Sequence, residues 1–165
     1  MAQVNPIPQG MHTVTPNLVI RGCARAIEFY RRALGAEEVA RMPAPDGKSI
    51  WHAELRIGDS VVFMNDEMPG MSAPAPDREH PAPVGMWLYV PDCDAAYERA
   101  VEAGAEGKME PADMFWGDRT ATVADPFGYV WNFATHVKDM TEEEMRRAGE
   151  EFARKQASGQ AGAGI

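Results

Sequence analysis

Two stretches of this 165-residue chain carry residue types that chemistry needs. The first is SIWHAELRI, residues 49–57. Side chains alternate along a strand, so His52, Glu54 and Arg56 share one face while Trp51, Ala53, Leu55 and Ile57 take the other. An imidazole tuned by a nearby carboxylate can act as a general base. The other reading of His52 is a polar or hydrogen-bonded structural histidine on the face opposite Trp51. The second stretch is FWGDR, residues 115–119. Phe115 and Trp116 could stack a planar ligand, Gly117 allows close backbone approach, and Arg119 could pair with an anionic group. The competing reading is an Asp118–Arg119 surface or dimer contact. His136 is open to the same two readings as His52, whereas His12 and His80 are expected to be exposed. No nucleophile–base pair is visible.

Bulk properties narrow the function classes. The formal charge of −9 suits neither nucleic acid nor an anionic membrane surface. No apolar run approaches the ~20 residues needed to cross a bilayer. The N-terminus MAQVNPIPQG has no secretory pattern, so a cytoplasmic protein is expected. Cys23 and Cys93 make no disulfide framework and read as small packed residues near helix starts.

The elements that position these residues come in two copies. Cys93 falls on Cys23 at an offset of 70 residues, and Val84, Leu88, Val90 and Gly128 then fall on Val14, Leu18, Ile20 and Gly58. GAE at 35–37 and at 104–106 repeats at an offset of 69. Each half reads strand, helix, strand, strand, strand. In the first half these are HTVTPNLVI, CARAIEFYRRAL stopped by Gly35, AEEVARM, SIWHAELRI and SVVFMND. In the second they are VGMWLYV, DCDAAYERAVEA with Asp92 as N-cap, AEGKMEP, RTATVAD and YVWNFAT. The loop MFWGD lies between the third and fourth of these, and the turn DPFG before the last. The expected layout is an N-terminal tail at 1–11, one domain at 12–138, and a tail at 157–165 expected to be disordered. The domain divides into units 12–66 and 84–138, joined by a proline-rich linker at 67–83. A C-terminal helix at 139–156 opens on the capping box Thr141-x-x-Glu144, with Met140, Met145, Ala148 and Phe152 as its apolar stripe.

Paired βαβββ units with these landmarks resemble the vicinal oxygen chelate superfamily of glyoxalases, bleomycin-resistance proteins and dioxygenases. The local text is most similar to its PhnB-like branch. The residues that carry this are TPNL (15–18), AIEFY (26–30), HAELRIGDS (52–60), FWGDR (115–119), DPFG (125–128) and ATH (134–136). The resemblance implies an α+β fold in which the two units form a curved mixed sheet around a cup-shaped cavity, to which the sequence adds a C-terminal helix. It also implies a homodimer.

Metalloenzymes of that family place four His or Glu ligands on the first and fourth strands of each unit. Carried over by spacing, those positions hold Thr15, Val62, Gly85 and Asn132, or Pro16, Phe63, Met86 and Trp131 one residue away. None is a good ligand, so no metal and no cofactor are expected. A cup without a metal would be apolar, lined from Trp51, His52, Phe63, Trp87, Tyr89, Phe115, Trp116, Arg119, Asn132 and His136. Trp131 is a further aromatic candidate. Two functions fit these residues: a binding protein for a small apolar or aromatic molecule, or a lyase, isomerase or dioxygenase-like enzyme using His52, Glu54 or Arg119. A dimeric interaction module whose terminal helix docks a partner is a third reading.

Overall fold

The computed structural model describes residues 5–158. The expected tail at 157–165 falls almost wholly outside the described residues. The chain divides into two compact units, 1–80 and 81–165, each built as βαβββ.

Unit 1 comprises β1 (Asn17–Ile20), α1 (Cys23–Leu34), β2 (Glu37–Pro43), β3 (Ile50–Ile57) and β4 (Ser60–Asp66). Its sheet order is β1-β4-β3-β2, with β1 parallel to β4 and the other pairs antiparallel. Leu18, Ile20, Ala53, Leu55, Val62 and Met64 are buried on the α1 side of the sheet. They meet the apolar face of α1, formed by Cys23, Ala26, Ile27, Phe29, Tyr30, Ala33 and Leu34. The helix ends where the sequence requires. Gly35 takes φ 66°, and its N–H bonds Tyr30 O.

Two local features of unit 1 differ from the strand pattern. β1 is shorter than HTVTPNLVI suggests, because Pro16 has no N–H to continue a ladder; its carbonyl still accepts from Phe63 N at 2.8 Å. Gly22 at the α1 N-terminus has no capping side chain. Asp66, 44 residues on, supplies the cap, with Oδ1 accepting from Gly22 N and Cys23 N at 2.8 and 2.9 Å.

Unit 2 comprises β5 (Gly85–Tyr89), α2 (Cys93–Glu102), β6 (Glu106–Asp113), β7 (Asp118–Ala124) and β8 (Val130–His136). Its sheet order, β5-β8-β7-β6, repeats that of unit 1. Asp92 caps α2 through Oδ1, which accepts from Ala95 N at 3.0 Å. Ala121, Val123, Trp131 and Phe133 are buried on the α2 side of the sheet. Pro111 sits in the edge strand β6, in a stretch where the β6–β7 register shifts, which is where a strand tolerates proline. The DPFG turn is built on Asp125, which is 1% exposed. Its carboxylate accepts from Phe127 N, Tyr129 N and the Trp131 indole at 2.8–2.9 Å.

Helix α3 (Glu142–Ala157) follows β8. Thr141 and Glu144 form the capping box reciprocally: Thr141 N donates to Glu144 Oε2 at 2.9 Å, and Glu144 N to Thr141 Oγ1 at 3.2 Å. Of the expected stripe, Met140, Ala148 and Phe152 are half-buried and Met145 is exposed. No helix or strand occupies the segment between Asp66 and Gly85.

The repeat thus has a physical basis. Cys23 and Cys93 each open the helix of their unit. Gly58 and Gly128 take φ 60° and 93° in the turns before the last strands. Burial pushes the Cys23 thiol up to about 12 and the Cys93 thiol to about 11, so neither is a ready thiolate.

Candidate functional site

The helix-free face of unit 2 carries the strongest grouping. Strand alternation and pairing place Trp87 and Tyr89 of β5, Asn132 and His136 of β8, and Asp118 and Thr122 of β7 on that face. Trp87 and Tyr89 are 48% and 67% exposed. Asn132 is committed to the protein: its amide oxygen accepts from Thr122 Oγ1 at 2.9 Å, and its nitrogen donates to Met86 O at 3.3 Å.

Asp118 is the hub. It is 4% exposed and collects three side chains. Oδ2 accepts from the Tyr89 hydroxyl at 3.1 Å and from Trp116 Nε1 at 3.2 Å, and Oδ1 lies 2.8 Å from His136 Nδ1. His136 Nε2 lies 3.1 Å from Asp139 Oδ1. With a carboxylate at each ring nitrogen, only the imidazolium donates to both, and the hydrogen bond to Asp118 first, then that to Asp139, raises the His136 pKa. The same carboxylate raises the Tyr89 pKa, because the neutral phenol is the form that donates to it.

Trp116 and Phe115 lie in the tight turn between β6 and β7, closed by Met114 N to Asp118 O at 2.7 Å. Gly117 takes φ 96° there, and its carbonyl accepts from Val137 N and Lys138 N. Phe115 packs edge-on to Trp116 at 5.0 Å and against Phe152 of α3 at 5.2 Å. Phe115 therefore anchors α3 to this turn.

Arg119 stands on the other side of the sheet. Its guanidinium grips Asp94 of α2 with two bonds, 2.5 and 2.7 Å, and bonds Asp113 at 3.0 Å. These carboxylates raise its pKa further. Adjacent strand residues point to opposite faces, so Asp118 and Arg119 cannot serve one ligand on the same face. Trp131 likewise lies on the α2 side, 1% exposed.

On the helix-free face of unit 1, His52 Nε2 lies 3.2 Å from Glu54 Oε1, and the His52 ring meets Phe63 edge-on at 4.8 Å. The two side chains are 37% and 21% exposed. Asn17 Nδ2 donates to Asn65 Oδ1 at 3.1 Å beside them. Trp51 is 43% exposed, where the β2–β3 register shifts between Met42 and Pro43.

Three of the four positions that the resemblance marks for metal ligands, Val62, Gly85 and Asn132, do not fit a metal. Gly85 has no side chain, and an added Cβ would lie 3.2 Å from Asn132 Nδ2, so these two positions adjoin. Asn132 spends its amide on Thr122 and Met86. Val62 points into the α1 core, and Phe63, its neighbour, takes the helix-free face. Among the described residues, no group of three or more His, Cys, Asp or Glu is arranged to hold a metal ion.

Thr122 on this face and Asp139 beyond the end of β8 are polar residues that the sequence did not mark, and Asp118 was marked only as the acid of the FWGDR loop. Strand parity within FWGDR was the available signal for Asp118; nothing local marks Asp139.

The family model of the glyoxalase/bleomycin resistance protein/dioxygenase superfamily matches residues 11–133. An uncharacterized protein of Mycobacterium bovis is 41% identical over 138 residues, covering 82% of this chain and 90% of that protein. The anthracycline biosynthesis protein DnrV of Streptomyces peucetius is 35% identical over 132 residues, covering 77% of this chain but 42% of DnrV. The crystal structure of TioX from Micromonospora superposes with TM-score 0.62 at 25% identity, over 76% of this chain and 99% of TioX. Because the match runs through both βαβββ units rather than one, the chain belongs to the glyoxalase/bleomycin resistance protein/dioxygenase superfamily.

Proposed function

We propose that this chain is a PhnB-like binding protein that takes a small apolar or aromatic molecule without a metal, as a cytoplasmic homodimer. The observation that carries the reading is the exposure of Trp87 and Tyr89 side by side on the helix-free face of unit 2. Large exposed aromatics grouped beside a few fixed polar groups are the usual composition of a small-molecule site. Thr122 and Asn132 are those polar groups, oriented by their mutual hydrogen bond, and the second N–H of the Asn132 amide is what they leave for a ligand. The residues at the four metal positions support the metal-free part, and the charge of −9 argues against a nucleic-acid partner. The relative named for anthracycline biosynthesis accords with a small-molecule role.

The second reading, a metal-independent enzyme, rests on the His52–Glu54 contact, which is the geometry of a base with its orienting acid. Metal analysis of the purified protein, paired with a thermal-shift screen of planar aromatic compounds, tests the first reading. Metal-free protein that is stabilised by such compounds is the expected result. A stoichiometric divalent metal, or turnover lost in His52→Ala, would replace it with an enzyme.

A further inference from the structure

Resting on the small-molecule reading above, we propose that Tyr89 and Trp116, which meet at Asp118, together with Trp87 on the same face of β5, recognise an organic cation: a protonated or quaternary amine carried on an apolar body. The Tyr89 hydroxyl and the Trp116 indole N–H donate to the same oxygen of Asp118, at 3.1 and 3.2 Å, which brings the polar edges of the two rings to one point. Trp87 precedes Tyr89 by two residues in β5 and shares its face.

The hydrogen bonds set the electrostatics. A ring that donates its N–H or O–H to an anion is polarised, and electron density moves onto its faces. A cation placed over such faces is held by the ring quadrupoles and by the buried carboxylate behind them. A neutral aromatic gains only stacking, and an anion is repelled. The surrounding charges agree. Asp118 and Asp139 flank the single imidazolium of His136, and Arg119 is on the far side of the sheet, engaged by Asp94 and Asp113. The chain as a whole carries −9, which attracts a cationic ligand at long range.

The test uses the full chain and indole fluorescence, with three probes: phenyltrimethylammonium, its uncharged isostere tert-butylbenzene, and benzenesulfonate. The expected result is that the ammonium binds at least ~10-fold more tightly than the isostere, in line with a desolvated cation over aromatic faces, and that benzenesulfonate does not bind. Tyr89→Leu, a change at an exposed position, is expected to remove most of that preference, and Asp118→Asn all of it. Equal affinity for ammonium and isostere would overturn the cation proposal while leaving aromatic binding in place. Preference for benzenesulfonate would overturn it too. Binding of none of the three would overturn both readings. Should Asp118→Asn fail to fold, the wild-type ratio and Tyr89→Leu still decide.

Discussion

Asp118 and His136 are direct partners across the β7–β8 ladder, with His136 Nδ1 2.8 Å from Asp118 Oδ1. The pair joins the turn that carries Trp116 to the segment that leads into α3. His136 is raised above its ordinary value, chiefly by Asp118 and then by Asp139. Its contribution to stability is therefore fully present below the unfolded value of about 6.5 and is lost as pH rises through the higher folded value. An NMR titration of the His136 ring should give a midpoint above about 6.5, and Asp118→Asn should lower it. A wild-type midpoint at or below the free-histidine value would remove the ion pair from this account.

Gly117 tests how the α3 segment is attached. A Cβ at this position would meet Lys138 O, a backbone atom, at 2.2 Å, and φ is 96°. Gly117→Ala should destabilise the protein by on the order of 2–3 kcal/mol through strain and steric displacement. Gly47→Ala is the control, with φ 68° and nothing within 4 Å; it should show only the left-handed backbone penalty of about 1–2 kcal/mol. Urea denaturation compares the two, and equal losses would show that the contact with Lys138 is unimportant.

Asp125 tests the turn before β8. Replacing it with alanine removes three hydrogen bonds, those from the Phe127 and Tyr129 amides and from the Trp131 indole, at a residue 1% exposed to solvent. A loss of about 3 kcal/mol or more is expected in chemical denaturation. Asp139→Ala, at a fully exposed side chain, should change stability far less. A near-neutral Asp125→Ala would mean that water replaces the carboxylate there.

Ligand affinity separates the two units. Trp116→Ala should weaken binding of an aromatic ligand by ~1–3 kcal/mol, as expected for a ring that anchors an interface. His52→Ala, in unit 1, should leave the affinity largely intact. Isothermal titration of both variants with one ligand checks the pair; unchanged affinity in Trp116→Ala would move the site elsewhere.

Much of the architecture is local information and is visible in the sequence. The offset of 70 residues locates Cys23 and Cys93 at equivalent helix starts and Gly58 and Gly128 in equivalent turns. Asp92 caps a helix three residues away, Thr141 and Glu144 satisfy each other over the same distance, and Gly35 ends α1 through its own backbone. Each of these caps and stops acts over less than two helical turns, and the repeat shows as self-similarity, so residue type and spacing suffice to find them.

Tertiary structure decided the rest, because the remaining questions concern partners far apart in the chain. Asp66 caps α1 from 44 residues away, where no capping pattern marks it. Strand register puts Phe63 rather than Val62 on the helix-free face, since a shift of one residue exchanges the faces. Arg119 and Asp118 are neighbours in sequence, yet one grips α2 and the other gathers Tyr89, Trp116 and His136. The sequence alone determines that this chain is a doubled βαβββ protein, since each unit's strands, helix and turns are marked by local pattern. Which side chains meet around Asp118 depends on the pairing of β5, β7 and β8, a non-local arrangement that no single segment encodes.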